Sequence, residues 1–195
     1  VTGTGQKGEP KPRLHVPLVL IGLMGAGKTS VGRRLAQMLD VGFVDSDAEI
    51  VTAANMTIPE IFEQFGEGYF REGEQRVLGR LLTEGPRVVA TGGGAFMSPD
   101  NRKAIAGAGL SVWLRADTDT LFERVRNKPG RPLLDVDDPK AVLDRLQAER
   151  GPVYALADVI VDSSPGIAHS DMAQAIIAGL RDHQARHPER RIFAV

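Results

Sequence analysis

Short apolar runs alternate with longer amphipathic stretches along nearly the whole chain. Leu18 to Ile21 is apolar at every position and ends at glycine, the pattern of a strand buried on both faces. Beyond it Val31, Leu35, Met38 and Leu39 fall at i, i+4, i+7 and i+8 while Arg33, Arg34 and Gln37 point elsewhere, which predicts a helix with one apolar face. Phe43-Val44 reads as a short second strand running into Asp45-Ser46-Asp47. An amphipathic stretch from Ala48 through Gln64 is broken near Asn55, and Glu67 to Leu82 continues as helix with Phe70, Val77, Leu78, Leu81 and Leu82 as its inner face. Arg87 to Ala90 is a third strand, placed directly before Gly92-Gly93-Gly94.

The second half repeats the alternation. Leu110 to Leu114 reads as strand and Asp117 to Arg126 as helix, and the Gly/Pro/Asp-rich segment that begins at Asn127 is too irregular for either. Asp138 to Leu156 is a helix, Val159 to Val161 a last strand, and Ile167 to Arg186 a closing helix. Such regular alternation predicts an α/β fold with a parallel sheet covered on both faces, whose ligands sit at the carboxyl ends of strands. That rule brings three segments together, because Gly22 to Thr29, Asp45 to Asp47 and Thr91 to Gly94 each begin where a strand ends. Residues 1–15 read as a disordered leader, 16–186 as a single domain and 187–195 as a C-terminal tail, with no internal repeat or second-domain linker.

Composition narrows what the domain can do. At 195 residues the chain fits one domain with an embedded lid. Its 42% apolar content includes no run approaching the ~18 residues of a membrane span, so no membrane partner is expected. A formal charge of -1 supplies no field for gathering a polyanion, which argues against a nucleic-acid partner. The absence of cysteine excludes disulfides and thiolate chemistry and is compatible with a cytoplasmic location, where a monomer is the expectation.

The chemistry begins at Gly22-Leu23-Met24-Gly25-Ala26-Gly27-Lys28-Thr29, which matches G-x-x-x-x-G-K-[ST] at every fixed position between a strand and a helix. Its glycines let backbone N–H groups surround phosphate oxygens, and Lys28 reaches the β and γ phosphates. Gly25, Ala26, Gly27, Lys28, Thr29 and Ser30 are thus the expected ATP-binding residues, with the Thr29 hydroxyl on Mg²⁺. A GTPase switch would carry N-K-x-D, but Asn127-Lys128-Pro129-Gly130 lacks the aspartate and no D-x-x-G sequence is present.

Asp45 and Asp47, one residue apart at a strand end, suit two neighbouring tasks. Asp45 would hold Mg²⁺ through its water shell and Asp47 would accept a hydrogen bond or proton from an acceptor hydroxyl. Either could instead cap the helix that follows. Arg71 stands three residues before Glu74, which makes either a surface ion pair or an orienting carboxylate behind a guanidinium fork. Arg150, before Gly151-Pro152-Val153-Tyr154, is a candidate second guanidinium for the same anion, and two arginines at one acceptor suit a small acidic substrate.

In order, the chain carries G-x-x-G-x-G-K-[ST], D-[ST]-D, F-R-x-x-E, G-G-G, R-P-L-L and R-x-P-x-Y with a later alanine. This series resembles the shikimate kinase family from about Leu18 to Val161. The resemblance implies a three-layer α/β/α P-loop kinase fold with a central parallel sheet of about five strands in the order 2-3-1-4-5. It implies that ATP phosphorylates the 3-hydroxyl of shikimate in the biosynthesis of aromatic amino acids, with Mg²⁺ as cofactor and the two small molecules as partners.

By the same resemblance Asp47, Arg71, Arg150 and the backbone of Gly92, Gly93 and Gly94 contact shikimate. Thr29 and Asp45 serve the metal, and Lys28 the phosphates. Arg131 comes down onto the phosphates on a lid spanning about 127–139. Arg124 lies against adenine, and Pro165 covers its other face. Lys28, Asp47 and Arg131 form the catalytic set. Gluconate kinases share the loop but not F-R-x-x-E followed by G-G-G, and a catalytically silent nucleotide-binding regulator would not need Lys28, Thr29, Asp45 and Asp47 together.

Overall fold

In the computed structural model, which describes residues 12–126 and 138–194, five strands form one sheet. They are β1 (Leu18–Ile21), β2 (Gly42–Asp45), β3 (Arg87–Ala90), β4 (Leu110–Arg115) and β5 (Val159–Asp162), in the spatial order β2-β3-β1-β4-β5. Every pairing is parallel. This is the order expected from the family resemblance. Each residue of β1 is buried, so both faces of the central strand are covered, as its unbroken apolar run requires. The chain leaves β1 to one side for β2 and β3 and to the other for β4 and β5, and the loop after β1 sits at that switch point.

Among the described residues seven α-helices cover the sheet: α1 (Lys28–Leu39), α2 (Ser46–Ala54), α3 (Ile58–Thr83), α4 (Pro99–Ala108), α5 (Thr118–Val125), α6 (Pro139–Tyr154) and α7 (His169–Arg186). Their ends follow local chemistry. Asn55, in the left-handed conformation, stops α2, and a capping box then starts α3: the Thr57 hydroxyl accepts from the Glu60 backbone N–H while the Glu60 carboxylate accepts from Thr57. Within α3 the backbone at Gly66 has φ +76° and ψ 177°, a kink that separates the two helical stretches read from the sequence. C-terminal to it Phe70, Val77, Leu78, Leu81 and Leu82 are all buried, as the periodicity predicts.

Two features differ from the sequence reading. Helix α4 was not anticipated, because only Asn101 and Ile105 of its ten residues are buried and so narrow a stripe leaves little periodic signal. The described ends of the expected leader and tail also belong to the folded body. Leu14 pairs antiparallel with Phe193, the His15 N–H donates to Ile192 O at 2.9 Å, and Ala194 N–H donates to Arg13 O at 2.9 Å. Leu14, Ile192 and Phe193 join the core, and the Arg190 guanidinium donates to Ala106 O and Gly109 O at the end of α4. This clasp lies at the amino ends of the strands, where Leu110 N–H meets Pro17 O.

Candidate active site

The loop from Gly22 to Gly27 joins β1 to α1, and its glycines occupy positions that side chains cannot. Gly25 has φ +82°, and a Cβ there would stand 2.8 Å from Val125 Cγ1 and 2.9 Å from Leu121 O, so the loop lies directly on α5. The Lys28 ammonium donates to Gly22 O at 2.7 Å and Leu23 O at 3.0 Å, which holds the cation across the loop at the amino end of α1. Next to it the Thr29 hydroxyl donates to Asp45 Oδ2 at 3.1 Å. Arg124, from α5, braces the far side: its guanidinium donates to Ser163 Oγ and Ser164 O, each at 2.9 Å, and approaches Gly25 O at 3.4 Å. One arginine thereby fixes the β1 loop against the loop after β5.

At the other end, strand β2 finishes at Asp45 and the first turn of α2 carries Asp47. Asp45 performs the capping role that the sequence left open, since its Oδ1 accepts from the Asp47 N–H at 3.1 Å. Burial, reinforced by the neighbouring Asp45 charge, pushes the Asp47 carboxyl above the usual carboxylate range, against the pull of Lys28 and Arg71. Arg71 is held from two sides: Nε and Nη2 donate to Glu67 Oε1 at 3.2 and 3.1 Å, and Nη1 donates to Glu74 Oε2 at 3.0 Å. Glu74 is 2% exposed, and its Oε1 has no hydrogen-bond partner among the described residues. Burial raises its pKa too, while Arg71 and Arg150 lower it and Asp47 raises it, so the four charges act on one small volume.

The triple glycine after β3 is where these side chains meet. A Cβ on Gly92 would lie 2.8 Å from Asp47 Oδ1, one on Gly93 would lie 2.8 Å from Arg150 Nη1, and one on Gly94 would lie 2.5 and 2.7 Å from Arg71 Nη1 and Nη2. Three polar groups from α2, α6 and α3 therefore occupy the space that three side chains would take. No other residue leaves it free, which is the physical reason for three glycines in a row at this point.

A cleft of 910 Å³ runs from this cluster to the β1 loop, and Gly25, Ala26, Gly27, Lys28, Thr29, Ser30, Asp45, Asp47, Arg71, Gly92, Gly93, Gly94, Arg124 and Arg150 all line it. Arg71 and Arg150 thus face a common space. Pro165 is exposed, and the loop that Arg124 grips contributes Ser163, Gly166 and Ile167 to the cleft instead. Arg131 and residues 127–137 of the expected lid lie outside the described residues. Sequence reasoning did not single out Glu67, although its i, i+4 spacing to Arg71 was visible, nor Ile58 and Met172, apolar lining residues that carry no motif.

The residues present also suit a hard divalent cation. Thr29 and Asp45 place a hydroxyl and a carboxylate oxygen in contact, while no group of three or more His, Cys, Asp or Glu that could hold a metal occurs among the described residues. That donor set fits an ion such as Mg²⁺ whose other ligands are phosphate oxygens and water.

Comparison with known proteins places the chain beside one family. The family model described as shikimate kinase matches residues 24–181. A shikimate kinase of Ruegeria pomeroyi is 53% identical over 167 residues, covering 86% of this chain and 86% of that protein, and one of Mesorhizobium japonicum is 51% identical over 170 residues, covering 87% and 81%. A solved shikimate kinase from Acinetobacter baumannii in complex with shikimate superposes with a TM-score of 0.81 at 38% identity, over 87% of this chain and 94% of that one. With a family match across most of its length and a fold shared with a solved member, this chain, whose Asp47, Arg71 and Arg150 meet at the carboxyl edge of its parallel sheet, belongs to the shikimate kinase family.

Proposed function

We propose that this chain transfers the γ-phosphoryl group of ATP to the 3-hydroxyl of shikimate, a step in making aromatic amino acids. The observation that carries the reading is the convergence of Asp47, Arg150 and Arg71 on Gly92, Gly93 and Gly94, in the same cleft as the β1 loop. Two guanidinium forks beside one buried carboxylate suit a small molecule that bears a carboxylate and hydroxyls. Arg71 and Arg150 take the carboxylate of shikimate, and the two carboxylates behind Arg71 keep its fork from turning away.

Asp47 accepts a hydrogen bond from the acceptor hydroxyl. As the new P–O bond forms and the bond to the ADP oxygen breaks, the hydroxyl proton passes to the Asp47 carboxylate. Lys28 leaves the carbonyls of Gly22 and Leu23 for the phosphoryl oxygens, where its charge is worth most as the transition state forms. Thr29 and Asp45 would hold Mg²⁺, which would supply charge neutralisation at the phosphate oxygens. Arg124 steadies the adenine end, and by the family resemblance Arg131, which lies outside the described residues, serves the phosphates.

The enzyme acts on small molecules as a cytoplasmic monomer: a formal charge of -1 argues against a polyanionic partner, and the absence of cysteine is compatible with the cytoplasm. Among the described residues no helix is long and apolar enough to cross a membrane. A coupled assay of ADP release with shikimate, gluconate or no acceptor tests the reaction. Release that depends on shikimate is expected, and equal release in all three reactions would overturn the assignment.

A further inference from the structure

We propose that the Tyr154 hydroxyl is a positioning group for the acceptor: by donating to the Gly93 carbonyl it ties the triple-glycine loop to the last turn of α6 and sets where Arg150 stands over Gly93. The inference rests on the reading of Arg150 and the triple glycine as the acceptor site.

Tyr154 is fully buried, and its ring packs against Trp113 of β4 with centroids 5.7 Å apart. Its hydroxyl donates to Gly93 O. Arg150 and Tyr154 are four residues apart at the end of α6, so their side chains share one face of the helix. Both reach the same glycine: a Cβ on Gly93 would lie 2.8 Å from Arg150 Nη1 and 3.6 Å from the Tyr154 oxygen. Gly22 O lies 3.7 Å from that same point, so the start of the phosphate-binding loop abuts the junction. Burial pushes the Tyr154 hydroxyl above its ordinary pKa, outweighing the charge and hydrogen bond of Arg150, so it stays protonated and remains a donor.

A loop of three consecutive glycines has no side chains with which to hold its own place, and its conformational freedom is the largest of any tripeptide. The guanidinium of Arg150 hangs on a long flexible stem. The rigid phenol between them removes both freedoms at once. Tyr154 does not itself line the cleft, whereas Arg150 and Gly93 do, so its effect is transmitted through them and falls on acceptor binding and not on ATP.

Tyr154→Phe keeps the ring and its packing on Trp113 and removes only the oxygen. The expected result is a rise of about tenfold in the KM for shikimate, the worth of one buried hydrogen bond, with the KM for ATP unchanged. In an Arg150→Ala background the same substitution is expected to add little to the loss of kcat/KM for shikimate, because the two residues act as a unit. A purely structural tyrosine would lower the melting temperature and leave both KM values alone, and that outcome would overturn the proposal. Full additivity with Arg150→Ala would overturn it equally. Turnover of shikimate by the unsubstituted enzyme tests the underlying activity separately, so failure of one reading is distinguishable from failure of the other.

Discussion

Gly94→Ala isolates the link between the triple glycine and the acceptor arginine. Gly94 has φ −90° and ψ −20°, a conformation that alanine adopts freely, so the substitution introduces no backbone strain. Its methyl group would stand 2.5 and 2.7 Å from the two terminal nitrogens of Arg71, and the guanidinium must withdraw by about an ångström to reach ordinary contact distance. Arg71 is the flexible partner here, so the fold survives. Replacing glycine also restricts the unfolded chain, which stabilises by about 0.4 to 1 kcal/mol. The loss falls on the acceptor. Charge-assisted hydrogen bonds are worth about 1.5 to 3 kcal/mol each, so displacing a fork that makes two costs about 3 to 6 kcal/mol. At 1.36 kcal/mol per tenfold that is about 150- to 25,000-fold in kcat/KM for shikimate. Steady-state kinetics with ADP release as the signal measure it, together with a thermal melt. An unchanged KM for shikimate, or equal losses for shikimate and ATP, would refute the placement of Arg71 over Gly94. A further check is Gly94→Ala in an Arg71→Ala background, where no additional loss is expected.

Two other outcomes follow from burial. Because the folded-state pKa of Asp47 is raised, its ionisation costs stability that is present below the unfolded value of about 3.9 and lost as pH rises through the folded one. Asp47→Asn should therefore melt above the unsubstituted protein at neutral pH, with the difference closing below about pH 3.9, while turnover collapses. Calorimetry across pH checks this, and retained turnover would remove Asp47 from the reaction. Ile192 is fully buried in the clasp at the amino ends of the strands, so Ile192→Ala should cost about 2 to 5 kcal/mol in urea unfolding and leave the KM values untouched. A fall in shikimate affinity would mean that the clasp communicates with the cleft.

Much of the fold was legible along the chain because its determinants are local. The apolar run at Leu18 to Ile21, the periodic face of α1, the break at Asn55 and the phosphate-binding loop each depend on residues within a few positions of one another, whose side-chain directions are dictated by backbone period. Asp45, Asp47, Arg71 and Arg150 could be nominated by residue type and position at element ends. What they do to one another could not. Only the chain's reversal at the central strand brings α2, α3 and α6 to the loop after β3, and only there does each glycine of Gly92-Gly93-Gly94 acquire a particular neighbour.

The same distinction explains the clasp and α4. Leu14 and Phe193 lie at opposite ends of the sequence, and nothing near either one announces a partner. In α4 a two-residue stripe is enough because β4 lies beside it, a circumstance that periodicity does not encode. The sequence by itself determined the elements, their class and the phosphate-binding chemistry, since these arise from short-range sterics and hydrogen bonding. Tertiary structure decided which charges share a cavity, which carboxylate is pushed up in pKa and why three side chains had to be absent, because those depend on distances between segments that meet only when the sheet has formed.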